Sequence, residues 1–254
     1  MIMIKNAAQI EKMRAAGALL ARIRDRVKDA VKPGMTTLQL DEMAETLIRE
    51  AGATPSFKGY HGFPYTLCTS VGSTVVHGFP NSTPLEEGQL LSIDTGLVLD
   101  GWQADSAVSV LVGGEGTEEA KRLLRVTEEC FWRGVKAARE GNRIGDIGYA
   151  VQKHAEENGF GVIRVLCGHG IGRNMHEEPD VPNFGEPGRG PRLKRGMTIC
   201  IEPMISAGHY SVHTQPDGWG VVTDDGSICS HYEHTICITA DAPEILTLGG
   251  KECK

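Results

Sequence analysis

The stretch GQLLSID at residues 88–94 decides the fold, because the chain contains a second version of it, GMTICIE at residues 196–202. Both segments begin at a glycine, continue through residues that favour β-strands and finish on a carboxylate. A second matched pair follows, since DSAVSV at residues 105–110 corresponds to EHTICI at residues 233–238, and each begins with a carboxylate. The sequence therefore predicts two related strand pairs that carry acidic residues at equivalent positions.

Helical patterns precede each strand pair in the same order. The spacing of apolar residues predicts helices at residues 5–31, 38–51, 118–140 and 146–158. Thr36 or Thr37 is positioned to cap the second of these helices. Gly52 and Gly159 close the second helix of each set and lie 107 residues apart, which indicates an internal repeat.

An α/β fold, of the α+β type, follows from this repeat. We expect a single domain, residues 1–254, built from halves at about 1–112 and 117–254 and related by pseudo-twofold symmetry. A central antiparallel sheet would lie inside and the helices outside. This symmetry would bring the repeated carboxylates together at the centre.

The four repeated carboxylates are Asp94, Asp105, Glu202 and Glu233. A single aspartate in a strand is most simply a hydrogen-bonded structural group. Four carboxylates that meet would repel one another strongly, and such a cluster requires protonation or a bound metal. The pattern therefore predicts a metal site.

Candidate imidazole ligands lie in the segment CGHGIGRNMHEEP at residues 167–179. A strand predicted at residues 162–166 would deliver His169 between two glycines, which leave room for an ion or substrate near the backbone. A carboxylate-rich site with one imidazole suits Co, Mn, Fe or Zn. The spacing of His and Glu residues in this segment is not that of a zincin, and the chain has no Gly-x-Ser-x-Gly nucleophile motif.

Composition excludes several other classes of function. The formal net charge of −7 disfavours nucleic acid and anionic lipid, and the basic residues at 189–195 are broken by glycine and proline, as in a solvated loop. No apolar run is long enough to span a membrane, and the N-terminus lacks a signal-peptide pattern. Seven scattered cysteines without a Cys-x-x-Cys pair favour a reducing compartment, and we expect the cytoplasm.

Seven short motifs occur in one order along the chain. They are GYHGFP at 59–64, VHGFP at 76–80, IDTG at 93–96 with Asp105 eleven residues after Asp94, CGHGIGR at 167–173, HEEP at 176–179, IEPM at 201–204 and YEHT at 232–235. With this set, the chain resembles the type I methionine aminopeptidases, which have the pita-bread fold, from its N-terminal helix to residue 247.

The resemblance implies a centre with two divalent metal ions and assigns its ligands. Asp94 would be a bidentate ligand of one metal, Asp105 and Glu233 would bridge the two, and His169 and Glu202 would complete the shell of the other. The four carboxylates that the repeat selects are thus the same four that the family uses.

The resemblance also implies the reaction, in which metal-activated water attacks the first peptide bond and releases the initiator methionine. Glu202 would be the general base, His176 would donate a hydrogen bond to the carbonyl oxygen, and His77 would position the peptide near the scissile nitrogen. The pocket for the methionine side chain would be lined by Tyr60, Phe63, Cys68 and Trp219. The family prefers a small second residue.

Five positions depart from the usual pattern of the family. Phe57 stands where cysteine is common, Met175 where an aromatic residue is frequent, Asn174 for glycine, Gln103 for histidine and His231 for glutamine. None is among the ligands that the resemblance implies, so these positions bear on the shape of the pocket.

Other readings of the chain stay open at this point. Prolidases and aminopeptidases P share the fold but usually carry an extra N-terminal domain. Non-catalytic peptide-binding members and metal-free creatinase-like hydrolases lose metal ligands, and here all five are present. As implied partners we expect the N-termini of peptides and nascent chains, with proximity to the ribosome, no nucleic acid, no membrane and a monomeric state.

Overall fold

The computed structural model describes residues 1–248, so the last residues of the predicted second half, up to 254, lie outside the described residues. All four predicted helices are present, at slightly shifted boundaries. They are α1 (Ala7–Ala30), α2 (Thr37–Glu50), α3 (Glu118–Ala137) and α4 (Ile144–Glu157), with a short 3-10 helix at Tyr60–Gly62.

Fifteen strands are described, and they form four antiparallel sheets. They are β1 (Thr54–Pro55), β2 (Leu67–Val71), β3 (Thr74–Val76), β4 (Leu90–Leu99), β5 (Trp102–Leu111), β6 (Gly161–Val162), β7 (Cys167–Gly170), β8 (Glu177–Pro182), β9 (Thr198–Ile201), β10 (Met204–Ser206), β11 (Val212–Thr214), β12 (Val221–Thr223), β13 (Cys229–His231), β14 (His234–Cys237) and β15 (Glu244–Ile245). One sheet has the order β1-β4-β2 with β5 also paired to β4, and the largest has the order β15-β14-β9-β7-β8.

The first repeated strand pair is longer than the sequence pattern predicts. Strand β4 does not end at Asp94 but continues to Leu99, and β5 begins before Asp105, at Trp102. A two-residue turn joins them, in which Asp100 and Gly101 have φ values of 50° and 76°. An Asp-Gly pair is a strong signal for such a hairpin turn, and the strands extend up to it on both sides. In the second half, β9 does stop just before Glu202 and β14 begins just after Glu233.

The strand predicted at residues 162–166 is wrong. Only Gly161 and Val162 pair, with β10, and Val165 is 74% exposed. The apolar run at these residues resembles a strand, but the chain leaves the sheet after Val162. Beyond that point, the guanidinium of Arg164 lies 4.6 Å from the centre of the Tyr210 ring. His169 lies on a separate strand, β7.

Side-chain caps fix the starts of three helices. The side chain of Thr36, one of the two predicted caps, accepts a hydrogen bond from the backbone N–H of Gln39, and the side chain of Gln39 accepts one from the backbone N–H of Thr36. Asn6 forms the same reciprocal pair at α1, and Thr117 caps α3. Each such cap satisfies N–H groups that a helix start otherwise leaves unpaired.

Each half of the chain has its own apolar core. One cluster of buried side chains lies entirely between residues 16 and 112, where α1 and α2 cover β4 and β5. A second cluster lies between residues 131 and 238, under α3 and α4. Smaller clusters combine residues of both parts, since Leu90 and Leu123 share one cluster and Trp102 and Cys200 another, so the division into halves stays a prediction.

The halves meet where β5 approaches β14. Ala107 and Glu233 exchange two backbone hydrogen bonds of 3.2 and 3.0 Å. Next to them, the hydroxyl of Thr235 accepts a bond from the backbone N–H of Asp105 and donates one to its carbonyl oxygen. The two strands that match in the repeat are therefore antiparallel neighbours, and their acidic residues face one centre.

Three smaller findings concern the apolar length of the helices, the cysteines and the basic loop. Within residues 1–248, no helix combines the length and the apolar character that crossing a bilayer requires. The cysteines of the described part are all unpaired, and five of the six are buried. The basic loop at residues 189–195 exposes its arginine and lysine side chains.

The segment before α1 is tied to the body of the protein by a buried ion pair. The ammonium of Lys5 lies 2.7 Å from the carboxylate of Glu177, and the two side chains are 5% and 9% exposed. Glu177 also accepts a hydrogen bond from the backbone N–H of Asn174. Removing one member of such a pair leaves an uncompensated buried charge.

Accordingly, Lys5→Met should lower the free energy of unfolding by about 3–5 kcal/mol, because Glu177 would remain buried without its partner. Denaturant unfolding followed by circular dichroism measures this change. The control Lys12→Met, at an exposed position of α1, should change stability by less than about 0.5 kcal/mol. The double variant Lys5→Met/Glu177→Gln should recover part of the loss, and a single variant as stable as the unchanged protein would contradict the argument.

Candidate metal centre and active-site cavity

Asp94 and Asp105 come together through the register of one hairpin. In the β4–β5 ladder, Asp105 lies opposite Gly96. Side chains alternate between the two faces of a strand, so Asp94, two residues from Gly96, lies on the same face and is the diagonal neighbour of Asp105. The hairpin thus places two carboxylates side by side.

Glu202 and Glu233 come together in the same way in the second half. His234 of β14 lies opposite Ile201 of β9, and these two glutamates are the next residues outward on the two strands. The contact of β5 with β14 then brings this second pair of carboxylates against the first. The structure therefore gathers all four repeated carboxylates at the junction of the halves.

His169 completes the group. Its Nε2 lies 3.7 Å from a carboxylate oxygen of Asp105 and 3.7 Å from one of Glu202. Its Nδ1 lies 2.9 Å from the carbonyl oxygen of Gly170, and since a carbonyl can only accept, Nδ1 carries the proton. The unprotonated Nε2 therefore faces the carboxylates, which is the arrangement of a histidine that binds a metal.

The glycines beside His169 are explained by strand packing. A Cβ atom on Gly168 would collide with the carbonyl oxygen of Cys200, and one on Gly170 with that of Glu178. These carbonyl groups belong to the neighbouring strands β9 and β8. The space beside these two glycines is thus occupied by the backbone of the strands on both sides of β7.

Burial and mutual repulsion strongly disfavour the ionised carboxylates. Burial raises the pKa of Asp105 to about 7. Burial, followed by repulsion from Asp105, raises the pKa of Asp94, Glu202 and Glu233 well above the usual range. Burial also lowers the pKa of His169 and keeps the imidazole neutral. A cation at this point would reverse the repulsion and stabilise the ionised acids.

The donor atoms of the cluster fit such a cation. Oδ1 of Asp94, Oδ1 of Asp105 and Oε1 of Glu233 are buried and have no hydrogen-bond partner among the described residues. Donor atoms of Asp105, His169 and Glu233 all lie within 4.8 Å of one another. Because unpaired buried oxygens are rare in folded proteins, a cluster of them is best explained by an ion.

A cavity of about 280 Å³ opens above the cluster. All four residues predicted to bind the methionine side chain line it, namely Tyr60, Phe63, Cys68 and Trp219. The rings of Phe63 and Trp219 pack edge to face at 5.1 Å. Phe57 and Met175, two of the unusual positions, also line the cavity and pack on Gly96, whereas Gln103 accepts a hydrogen bond from Ser56 outside it.

The two predicted catalytic histidines both line this cavity. Nδ1 of His176 is 2.8 Å from the hydroxyl of Tyr60, and burial, with His169 and His61 nearby, lowers the pKa of His176 to about 4. His77 has a φ of 58°, a left-handed conformation that is uncommon outside glycine and that often marks a functional residue. Both side chains reach the cavity as neutral imidazoles near pH 7.

Sequence reasoning missed two residues of the centre. The Sγ of Cys200 belongs to the same tight group of donor atoms, although burial and three nearby carboxylates raise the pKa of this thiol and keep it protonated. His231 lines the cavity beside Glu202 and Glu233. Each lies two residues before a repeated glutamate, and this period-two spacing was the available signal.

The sequence as a whole matches known proteins over nearly its full length. Residues 11–240 match the model of metallopeptidase family M24. The methionine aminopeptidase of Clostridium perfringens is 50% identical over 98% of this chain and 99% of the relative.

Comparison with solved structures identifies the fold. The methionine aminopeptidase of Rickettsia prowazekii superposes with a TM-score of 0.96 at 42% identity, covering 98% of this chain and 100% of that one. The prolidase of Pyrococcus furiosus, at 23% identity and a TM-score of 0.79 over 99% of this chain and 66% of that one, shares the fold alone. The predicted pita-bread fold is confirmed. The chain belongs to metallopeptidase family M24 and, within it, to the methionine aminopeptidases.

Proposed function

We propose that this protein removes the initiator methionine from peptides and nascent proteins with the help of two divalent metal ions, and that it prefers a small second residue. One observation carries the proposal. Four carboxylates, of which those of Asp105 and Glu233 are buried, and His169 form the floor of a cavity whose walls are aromatic rings and sulfur-containing side chains. Such a cavity suits an unbranched thioether placed next to a hydrolytic metal centre.

Asp94, Asp105, His169, Glu202 and Glu233 would hold the metals, with Asp105 and Glu233 shared between them. The carboxylate-rich donor set is compatible with Co, Mn, Fe or Zn. When bound, the metals polarise the peptide carbonyl and make water a nucleophile at neutral pH. The short distances between His169 and its two carboxylate neighbours support this assignment.

Glu202 would move the proton from the attacking water to the leaving amine. Its side chain is 12% exposed, and its two oxygens face different imidazoles. Its position in the cavity beside the other proposed ligands supports a role in which it exchanges a proton with the substrate.

His176 would donate a hydrogen bond to the carbonyl oxygen as negative charge develops on it. Its contact with the Tyr60 hydroxyl holds the ring and leaves Nε2 for the substrate. His77, which also lines the cavity, would position the peptide near the scissile nitrogen. Tyr60, Phe63, Cys68 and Trp219 would surround the methionine side chain.

The proposal also includes the domain organisation, the oligomeric state and the location of the protein. The whole chain would act as one catalytic domain, as a monomer in the cytoplasm, on nascent-chain N-termini close to the ribosome. The unpaired cysteines of the described part support a reducing compartment. Light scattering of the purified protein tests the monomeric state.

A peptide panel tests the substrate. With Co or Mn added, the purified protein should release methionine from Met-Ala-Ser and hardly any from Met-Leu-Ser, because space beyond the scissile bond is limited. Free methionine measured by chromatography gives the result. Cleavage of Ala-Pro peptides without methionine release would instead support a proline-directed enzyme, and tight peptide binding without cleavage would support a binding protein.

Glu202→Gln tests the proposed base. The amide keeps the size of the side chain and one oxygen donor but cannot accept the proton, so kcat should fall by about 10²–10⁴-fold. Metal binding, measured by calorimetry, should persist at reduced affinity. The exposed variant Glu118→Gln is the matched control, and near-normal kcat in Glu202→Gln would disprove the assigned role.

His176→Ala tests the proposed hydrogen bond to the carbonyl oxygen. Loss of one such donor should lower kcat by about 10²–10³-fold and change KM little, because the bond strengthens only as charge develops. Steady-state kinetics with Met-Ala-Ser separates the two constants. A rise in KM with unchanged kcat would show that His176 only binds the substrate.

A further inference from the structure

His231 is a buried imidazole beside the proposed metal ligands, at a position where the family frequently has glutamine. Its Nε2 lies 3.7 Å from one oxygen of Glu202 and 4.0 Å from one of Glu233. The side chain is 3% exposed, and Nε2 has no hydrogen-bond partner within residues 1–248. A buried polar atom without a partner requires an explanation.

Hydrogen bonds and strand pairing hold the backbone of His231 in place. The hydroxyl of Ser109 on β5 accepts a bond from the backbone N–H of His231 and donates one to its carbonyl oxygen. Strand β13 also pairs His231 with Met204, two residues after Glu202. The backbone that carries the ring is therefore held at the wall of the cavity, and Nε2 lies near the carboxylate of Glu202.

Glu202 lies between two imidazoles at equal distances. One of its oxygens is 3.7 Å from Nε2 of His169, and the other is 3.7 Å from Nε2 of His231. His169 is a proposed metal ligand, so the second imidazole has the same relation to Glu202 as an expected ligand. Neither contact is short enough for a direct hydrogen bond.

We propose that His231 is a sixth protein ligand of the centre and binds the metal ion that Glu202 holds. The inference rests on the proposed two-metal function and adds to it a nitrogen donor where a glutamine amide is usual. Neutral imidazole is a common ligand of Co, Fe and Zn, whereas Mn favours oxygen donors. This chain should therefore select the nitrogen-preferring ions over Mn more strongly than its His231→Gln variant does.

Proton NMR of the Co-loaded protein tests the assignment directly. A histidine bound to Co through Nε2 shows its Nδ1–H as a strongly shifted, solvent-exchangeable signal. We expect such signals from both His169 and His231 in the unchanged protein, and loss of the His231 signal in His231→Gln. Glutamine is common at this position in the family, so the variant should fold, and circular dichroism verifies this.

Metal titration gives a second readout that does not depend on activity. In calorimetry, His231→Gln and His231→Asn should bind Co about 10–100-fold more weakly, as is typical for loss of a group that supports a metal. Binding of Mn should weaken less. The control His213→Gln, an exposed histidine on β11, should bind both metals like the unchanged protein.

The outcomes separate the inference from the function on which it rests. A His169 signal alone in the unchanged protein, with equal Co affinity in the His231 variants, would overturn the sixth ligand and leave the proposed metallopeptidase standing. Absence of both signals, with no saturable Co binding, would overturn both. Two signals and a selective loss of Co affinity are the expected result.

Discussion

The main constraint on this structure is the electrostatic repulsion among four carboxylates that lie close together in its interior. Asp94, Asp105, Glu202 and Glu233 lie at the junction of the two halves, and three of their oxygens have no hydrogen-bond partner in the described part of the chain. An arrangement of this kind is unfavourable unless a cation compensates it, because burial removes the water that would otherwise solvate the charges. The fold therefore gathers carboxylates that either protonation or a bound cation would stabilise.

The backbone makes this arrangement possible. Strand β5 contributes one acid and the start of β14 another, and the two strands are joined by backbone bonds between Ala107 and Glu233. Each half has its own apolar core, so the carboxylates can meet at the junction without interrupting either core. A proposed metal centre at this place would also hold the halves together, since ligands come from both.

Different parts of the chain supply the proposed metal ligands and the side chains that would determine substrate specificity. The acids of the central strands form its floor, while loops and short strands supply the aromatic and sulfur-containing walls. Departures from the family pattern at Phe57 and Met175 affect these walls. His231 differs, because it lines the cavity beside the proposed ligands Glu202 and Glu233, so a substitution at this strand position would act on the proposed metal centre.

The sequence by itself predicted the four helices, the repeat and the acidic positions, because these depend on local periodicity and on matched spacing along the chain. It did not predict the extended hairpin around Asp100, and it placed a strand at residues 162–166, where the chain leaves the sheet. Only the tertiary structure showed that His231 and Cys200 reach the centre. Those contacts depend on register between distant strands, and the only local signal for them was the period-two spacing of each residue before a repeated glutamate.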